Sequence, residues 1–475
     1  MRQSVLWLVL VGFTAFVCFL AGEVAVRVAA RFLPAVEYLA NAGRSRPPTS
    51  YRSLEEFLAA NSVLVVPHRA YLGYWTNALG FNDAEFEARK PPGRLRIMAL
   101  GDSFAYGNVP YPDNVLTIAE ELLRASCDGR DLDLLNFGIN GAGVWTYKTL
   151  FELARPIYEP DIVAVHFYMG NDGPDVYRLR NGLPRARGIH SYLWTFGTSV
   201  WRVRRALDPA PYPPVVGGPT AGAVGGKRVG PGPRLTDDSA LMSTPMYTEE
   251  AFLQIARSEL MQLYAPRRDP GRVARAWAPI LDVLDTIRQE AVRHRIRMII
   301  VLFPSALQVY PTRRAEVLDA LPARGTHADV SDADIDPTMP YQVVRAYCDR
   351  AGIDCYDVTR DLLVASRKSD LPLYRPRDTH WNIRGNRVAA EAEAAFLRAL
   401  VCPTGSAQDT PGRGGQTTQV PCAEGRDLGT NCERPARKVS RSSPPRKTRA
   451  AAYERIRPMA NDLRTLVQLS RSDGL

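Results

Sequence analysis

"LRIMALGDSFAYGN", residues 95–108, decides how this chain folds. Leu95, Ile97, Met98, Ala99 and Leu100 form a short apolar run, and Gly101 ends it. A run apolar on both faces belongs inside a parallel sheet covered by helices, not on a sheet with one wet face. Ser103 comes next, with Asp102 before it and Phe104 after it. A serine between a strand and a helix either caps the helix or acts as a nucleophile. The rest of the chain has to choose between those two.

Outward from this stretch the pattern alternates. "TIAEELLRAS" (117–126) is amphipathic, with Ile118, Leu122 and Leu123 on one face, and "LDLLNFG" (132–138) is an apolar run of strand length. "YKTLFELARPIY" (147–158) is helical, and "DIVAVHFYMG" (161–170) is β-branched and apolar. After a break, "RAWAPILDVLDTIRQEAVRHRI" (275–296) is a helix and "RMIIVLFPS" (297–305) a buried strand. "YQVVRAYCDRAGIDCYDVT" (341–359) is a helix and short strand, and "HWNIRGNRVAAEAEAAFLRAL" (380–400) is a last helix. Helices alternating with buried strands predict an α/β fold with a parallel sheet between two helical layers.

The break is an insertion, about 174–271. It holds the aromatics Tyr192, Trp194, Phe196 and Trp201, then "DPAPYPPVVGGPTAGAVGGKRVGPGPRL" (208–235), too rich in Pro and Gly to form a regular element. Residues 4–22, "SVLWLVLVGFTAFVCFLAG", are continuously apolar and long enough to cross a bilayer. Residues 1–24 are therefore expected to be a membrane anchor or signal-anchor, because "LAGEVAV" is a poor cleavage site. Residues 25–92 form a connector and lead-in, and 93–402 the main domain. Residues 403–475, with little to build a core from, are expected to be a basic, disordered tail.

Composition narrows the function. The chain has 475 residues, 45% hydrophobic and 23% charged, as a globular protein does. More than half of the net charge of +10 lies beyond Cys402, where 13 basic residues face 7 acidic ones. The basicity belongs to the tail, so no nucleic-acid partner is expected. Seven cysteines without a CxxC pair suit neither a disulfide scaffold nor a zinc site, and spacing does not choose their pairing.

The ends of the apolar runs carry the chemistry, because parallel sheets present ligands at the carboxyl ends of their strands. Asp102-Ser103 follows the first run, "NFGINGAG" (136–143) the second, "GND" (170–172) the third, and "RDTHWN" (377–382) precedes the last helix. A serine hydroxyl needs a base, and His380 suits near neutral pH. Asp378 would fix the imidazole tautomer and stabilise the imidazolium. An oxyanion needs donors, which the Ser103 amide, the Gly141 amide and the Asn171 side chain would supply. His166, inside an apolar strand, is expected to be a satisfied core histidine. Taken singly, Ser103 is an ordinary cap and "GND" an ordinary turn. Four motifs in order at strand ends favour acyl transfer by a serine nucleophile.

"GDSF", "NFGINGAG", "GND" and "DTHWN" resemble the four blocks of the SGNH/GDSL hydrolases, and "LGYWTNALGFND" (72–83) is similar to the lead-in of membrane-anchored bacterial members. The resemblance spans about residues 71–400. It implies a flavodoxin-like three-layer α/β/α domain, with Ser103 as nucleophile, His380 as base, and Gly141 and Asn171 in the oxyanion hole. The commonest family form puts the acid three residues before the histidine, where this chain has Arg377; the Asp-x-His form of some branches keeps Asp378 as the acid. The G-x-S-x-G elbow of the α/β-hydrolases is missing.

The expectation is an ester hydrolase working through an acyl-enzyme, without metal or organic cofactor, on an ester whose acyl group and alcohol the sequence does not identify; an acylated glycan or lipid is one candidate. The body would sit outside the cytoplasm, held to the membrane by the first helix. One alternative is an O-acyltransferase or deacetylase on an envelope glycan, with the aromatic part of the insertion as a lid. Another is a non-catalytic glycan- or lipid-binding scaffold, which would not need Ser103, Asn171 and His380 together.

Overall fold

The computed structural model describes residues 2–40, 50–62, 64–72, 74–127, 130–172, 191–206, 243–264, 270–320 and 330–402. The Pro/Gly-rich stretch 208–235 and the tail 403–475 lie outside them.

Three helices come first: α1 (Arg2–Phe32), α2 (Pro34–Ala40) and α3 (Leu54–Ala60). A two-stranded hairpin, β1 (Ala70–Tyr71) and β2 (Tyr74–Trp75), leads to the body. The body begins with β3 (Leu95–Gly101), α4 (Ser103–Tyr106), α5 (Val115–Ser126), β4 (Leu132–Gly138), α6 (Val144–Tyr158) and β5 (Ile162–Tyr168). The described parts of the insertion contain two helices, α7 (Tyr192–Ala206) and α8 (Glu249–Gln262). Then come α9 (Pro270–Arg293), β6 (Arg297–Phe303), α10 (Ala306–Val309), α11 (Pro311–Asp319), α12 (Met339–Ala351), β7 (Asp354–Asp357), α13 (Thr359–Lys368) and α14 (Ile383–Val401).

Strands β3 to β7 form one parallel sheet in the order β4-β3-β5-β6-β7. Counted along the sheet strands, that is the 2-1-3-4-5 order of flavodoxin-like folds, whose ligand crevice opens between the first and third strands. Alternation sorts the side chains. Met98, Leu100, Val163, Val165, Ile300 and Leu302 join one apolar cluster. Ile97, Ala99, Ile162, Ala164, Ile299 and Val301 join the other. Both faces are covered, as the two-sided apolar runs require, and each of the Val, Leu, Ile and Met side chains contributes roughly 1.5–3 kcal/mol of burial. The fold is the three-layer α/β/α arrangement.

Helix α14 lies along α5, and a disulfide between Cys127 and Cys402 ties their C-terminal ends. A second joins Cys348 to Cys355 across the turn from α12 to β7. Spacing alone had left both pairings open. Helix α1 runs on past the apolar stretch 4–22. Within its candidate span Val5–Phe32, an 18-residue window of mean hydropathy 2.5 has no buried residue, as befits a membrane anchor or a signal sequence.

Candidate active site

The strand ends put the candidate residues on one edge. Gly101 pairs with Gly138 on one side and with His166 on the other. Ser103 lies two residues beyond Gly101, Gly141 three beyond Gly138, and Asn171 three beyond the end of β5. They therefore leave the carboxyl ends of three adjacent strands, at the crevice position.

Ser103 does not cap α4; Asp102 does. The Asp102 carboxylate accepts from the Phe104 amide at 2.8 Å, which puts Ser103 at the first helical position with its hydroxyl outside the cap. A helix of four residues leaves most of its carbonyls unpaired. Three asparagine amides take them up. Asn114 Nδ2 donates to Ala105 O and Tyr106 O, Asn136 Nδ2 to Ala105 O, and Asn82 Nδ2 to Tyr106 O. The lead-in is thus part of the frame that holds the serine. Space is also fixed there: a Cβ on Gly138 would come within 2.2 Å of the Tyr106 amide nitrogen.

Asp378 and His380 sit in a tight loop between Tyr374 and Trp381, which form a bridge. Asn382 N donates to Leu373 O, and Arg375 N to His380 O. Arg377 takes a left-handed φ of 45°, turning the chain. Asp378 Oδ1 then accepts from the amide of His380 at 3.2 Å, an Asx-type turn, and lies 2.7 Å from His380 Nδ1. This turn lets a carboxylate only two residues away reach over its own histidine. The other ring nitrogen, Nε2, is 2.7 Å from Ser103 Oγ. Serine, imidazole and carboxylate form one hydrogen-bonded chain.

Electrostatics reinforce it. Burial pushes the Asp378 carboxyl up, but the His380 charge, its hydrogen bonds and nearby Arg375 outweigh burial and hold it below the usual range. Burial pushes the His380 imidazole down, yet Asp378 and then Asp102 prevail and raise it. Asp102 is fully buried, and that burial pushes it up to about 6. Its Oδ2 lies 3.3 Å from Ser103 Oγ.

Gly141 adopts φ 67°, which only glycine takes without strain. The Asn171 side-chain oxygen is buried without a hydrogen-bond partner, so nothing described ties down its amide. Ser103, Asp378 and His380 are in direct contact; Gly141 and Asn171 stand on the neighbouring loops. His166 lies elsewhere. It is fully buried, with Nε2 2.7 Å from Glu393 and Nδ1 without a hydrogen-bond partner among the described residues, so it is a core histidine satisfied on one side only.

Among the buried acids that the sequence did not single out, Glu259 stands nearest this network. Glu259 on α8 accepts from Tyr168 Oη at 2.7 Å and from Ser305 Oγ at 2.8 Å. Burial raises it to about 7 despite those bonds. Tyr168 stacks on Phe104 at 4.0 Å, and Phe104 lies 5.0 Å from the His380 ring. A signal existed: Phe252, Ile255, Ala256 and Leu260 make an apolar helical stripe, and Glu259 sits in it.

Residues 296–455, about a third of the chain, match a family model described as "SGNH hydrolase-like domain, acetyltransferase AlgX". The match begins at β6 and takes in the Asp378–His380 loop; Ser103, Gly141 and Asn171 precede it. No curated protein matches the chain. Among solved structures, the acetyl xylan esterase AlAXEase is similar at 13% identity and TM-score 0.31, over 64% of this chain and 100% of its own. A catalytic mutant of Axe2, an acetylxylan esterase from Geobacillus stearothermophilus, is similar at 12% identity and TM-score 0.32, over 65% and 95%. LAE5, an alpha/beta hydrolase enzyme from the metagenome of Lake Arreo, Spain, gives 16%, 0.32, 65% and 95%.

Proposed function

We propose that this chain carries a domain of the SGNH/GDSL hydrolase type and cleaves an ester through a covalent acyl-enzyme on Ser103. The observation that carries this reading is the unbroken chain from Ser103 Oγ to His380 Nε2 and from His380 Nδ1 to Asp378, with both contacts at 2.7 Å.

The steps follow from those contacts. Ser103 Oγ attacks the acyl carbon while its proton passes to His380 Nε2. Asp378 keeps the Nδ1 proton in place and stabilises the imidazolium. The oxyanion is received by the amides of Ser103 and Gly141 and by the Asn171 side chain, each donor lowering the barrier by about 3 kcal/mol. The alcohol leaves with the proton from His380. Water, deprotonated by the same imidazole, then releases the acid and restores the serine.

A second reading is supported by the description of the matching family model, which names an acetyltransferase. A glycan hydroxyl would then intercept the acyl-enzyme in place of water. For location, we propose a body outside the cytoplasm. Two disulfides fit an oxidising compartment, and the apolar helix α1 supplies an anchor.

The nucleophile is tested with an organophosphonate probe and mass spectrometry. Ser103 should carry the label, and Ser103→Ala should abolish both labelling and esterase activity. Labelling of another serine in the variant would overturn the assignment. The acceptor is tested by supplying an activated acyl donor with glycans. Free acid as the main product supports hydrolysis; acylated glycan, lost in Ser103→Ala, supports transfer.

A further inference from the structure

The aromatic helix of the insertion does something its sequence did not suggest. Its N-terminal turn is capped by a residue of α1. Glu23 Oε1 accepts from the amide of Tyr192 at 2.9 Å, while Oε2 accepts from the amide of Leu193 at 2.9 Å and from Ser191 Oγ at 2.7 Å. Arg27 Nε donates to the same carboxylate at 2.8 Å, and its guanidinium lies 4.3 Å over the Tyr192 ring. Packing is as close as the bonding: a Cβ on Gly22 would come within 2.8 Å of Leu193 Cδ2. Helix α7 is therefore locked to α1 at residues 22–27.

That position has a depth. The apolar span Val5–Phe32 holds 28 residues, about 42 Å of helix at ~1.5 Å per residue. A hydrocarbon core takes only about 30 Å, or roughly 20 residues. Counted from Val5, the core ends near Gly22 and Glu23. Helix α7 starts where α1 leaves the hydrocarbon.

Its two faces differ. Phe196 and Val200 pack against the core of the body. Trp194 and Trp201, seven residues apart and so on one face, are 71% and 56% exposed. Every other tryptophan beyond α1 is at least partly buried. Arg205 stands over Trp201 at 4.9 Å. Arg204 and Arg205 in the last turn of α7, with Arg27 and Arg31 on α1, leave this end of the molecule basic.

We propose that α7 is a second membrane contact, an interfacial helix that lays Trp194 and Trp201 among the headgroups of the bilayer α1 enters, with its arginines on anionic lipid. The proposal rests on reading α1 as a membrane span. The chemistry fits: indole rings favour the boundary layer, where one part is apolar and the N–H stays wet, and arginine adds attraction to anionic lipid. Val24, Val28 and Phe32 leave α1 itself exposed and apolar past residue 23, and a helix locked to such a segment at the hydrocarbon boundary meets the bilayer before a protein partner. One flexible tether would leave the body free to swing; two contacts fix its height and tilt.

The test uses the full chain reconstituted into phosphatidylglycerol-containing vesicles, with Cys422 and Cys432 replaced by serine. A bimane on native Cys18, exposed and free within α1, reports the span. Bimanes introduced by Trp194→Cys, Trp201→Cys or, as control, Val364→Cys in a Cys18→Ser background report the surface. Quenching at position 18 by a nitroxide deep in the acyl chains establishes the span. Quenching at 194 and 201 by a nitroxide near the headgroups should exceed that at 364 by about twofold or more. If either stays at the control level while position 18 is quenched, the interfacial helix is overturned and the anchor stands. If position 18 itself is not quenched, the span falls and the proposal with it. Esterase activity of each labelled variant verifies its fold.

Discussion

Replacing Asp378 by asparagine removes one charge and almost no volume, which makes it the sharpest perturbation of the site. Asp378 is fully buried and 2.7 Å from His380 Nδ1. In the ground state the imidazole is neutral above its own pKa; in the transition state it has taken the Ser103 proton. The lost attraction is thus felt mainly in the transition state. Unit charges about 4 Å apart at an effective dielectric near 20 interact by about 4 kcal/mol. At 1.36 kcal/mol per decade this is roughly a 10³-fold loss in kcat, inside the roughly 10- to 10⁴-fold range expected of a triad acid. The assay is steady-state hydrolysis of a p-nitrophenyl ester, with a thermal melt on the same sample. KM should change little, because the carboxylate faces the base and not the substrate. A loss smaller than tenfold with an unchanged melt would refute the reasoning. So would a larger loss in Asp102→Asn, which would move the role to the other buried carboxylate.

The pH profile should carry its acid limb above the ordinary imidazole midpoint, because Asp378 raises His380 and the base must be neutral to act; in Asp378→Asn the limb should move to lower pH. The stability signs run oppositely: the raised His380 stabilises the fold below its unfolded value of about 6.5 and loses this as pH rises through its folded one. The lowered Asp378 stabilises above about 3.9 and loses this as pH falls, both readable in melts against pH. Cys127→Ser opens a bond between residues 275 apart, and calorimetry should show a loss of roughly 3–5 kcal/mol. Deleting residues 403–475 should leave the melting temperature and small-ester turnover intact, since every strand of the sheet and every site residue precedes them; a large drop in either would show that the segment docks on the body.

Local signals in this chain were legible and distant ones were not. The four apolar runs became strands because a residue buried on both faces has one consistent solution, a covered parallel sheet. Even β7 (Asp354–Asp357), half-buried at the sheet edge, was marked by the helix before it. Ser103, Asp378 and His380 were legible because their motifs flank elements, the first at the end of β3 and the others just before α14, where a side chain can serve something besides the core. Hidden were contacts that depend on the closed fold. Asp102 rather than Ser103 caps α4, because Asp102 turns its carboxylate onto the Phe104 amide. Arg375 meets Asp378 only because Arg377 turns left-handed. The pairing of Cys127 with Cys402 needs α5 and α14 side by side. The aromatic part of the insertion, a lid only on the transferase alternative, lies as a helix against α1 and α2, where Glu23 accepts from the first amides of that helix.

Water and sugar would use the same serine, imidazole and carboxylate, so the choice between them does not rest on the triad. It rests on what surrounds His380 when the acyl-enzyme is formed, and the insertion reaches that surrounding. Helix α8 brings Glu259 to Tyr168 and Ser305, and Tyr168 bears through Phe104 on the ring of His380. Helix α7, from the same insertion, is fastened instead to α1 at Glu23. One segment therefore reaches the surroundings of His380 and another joins α1, with residues 207–242 between them. On the proposed reading, the chemistry is set by strand ends that any member of the fold could share. The acceptor, and the distance from the bilayer at which it is met, are set by the insertion that this chain adds.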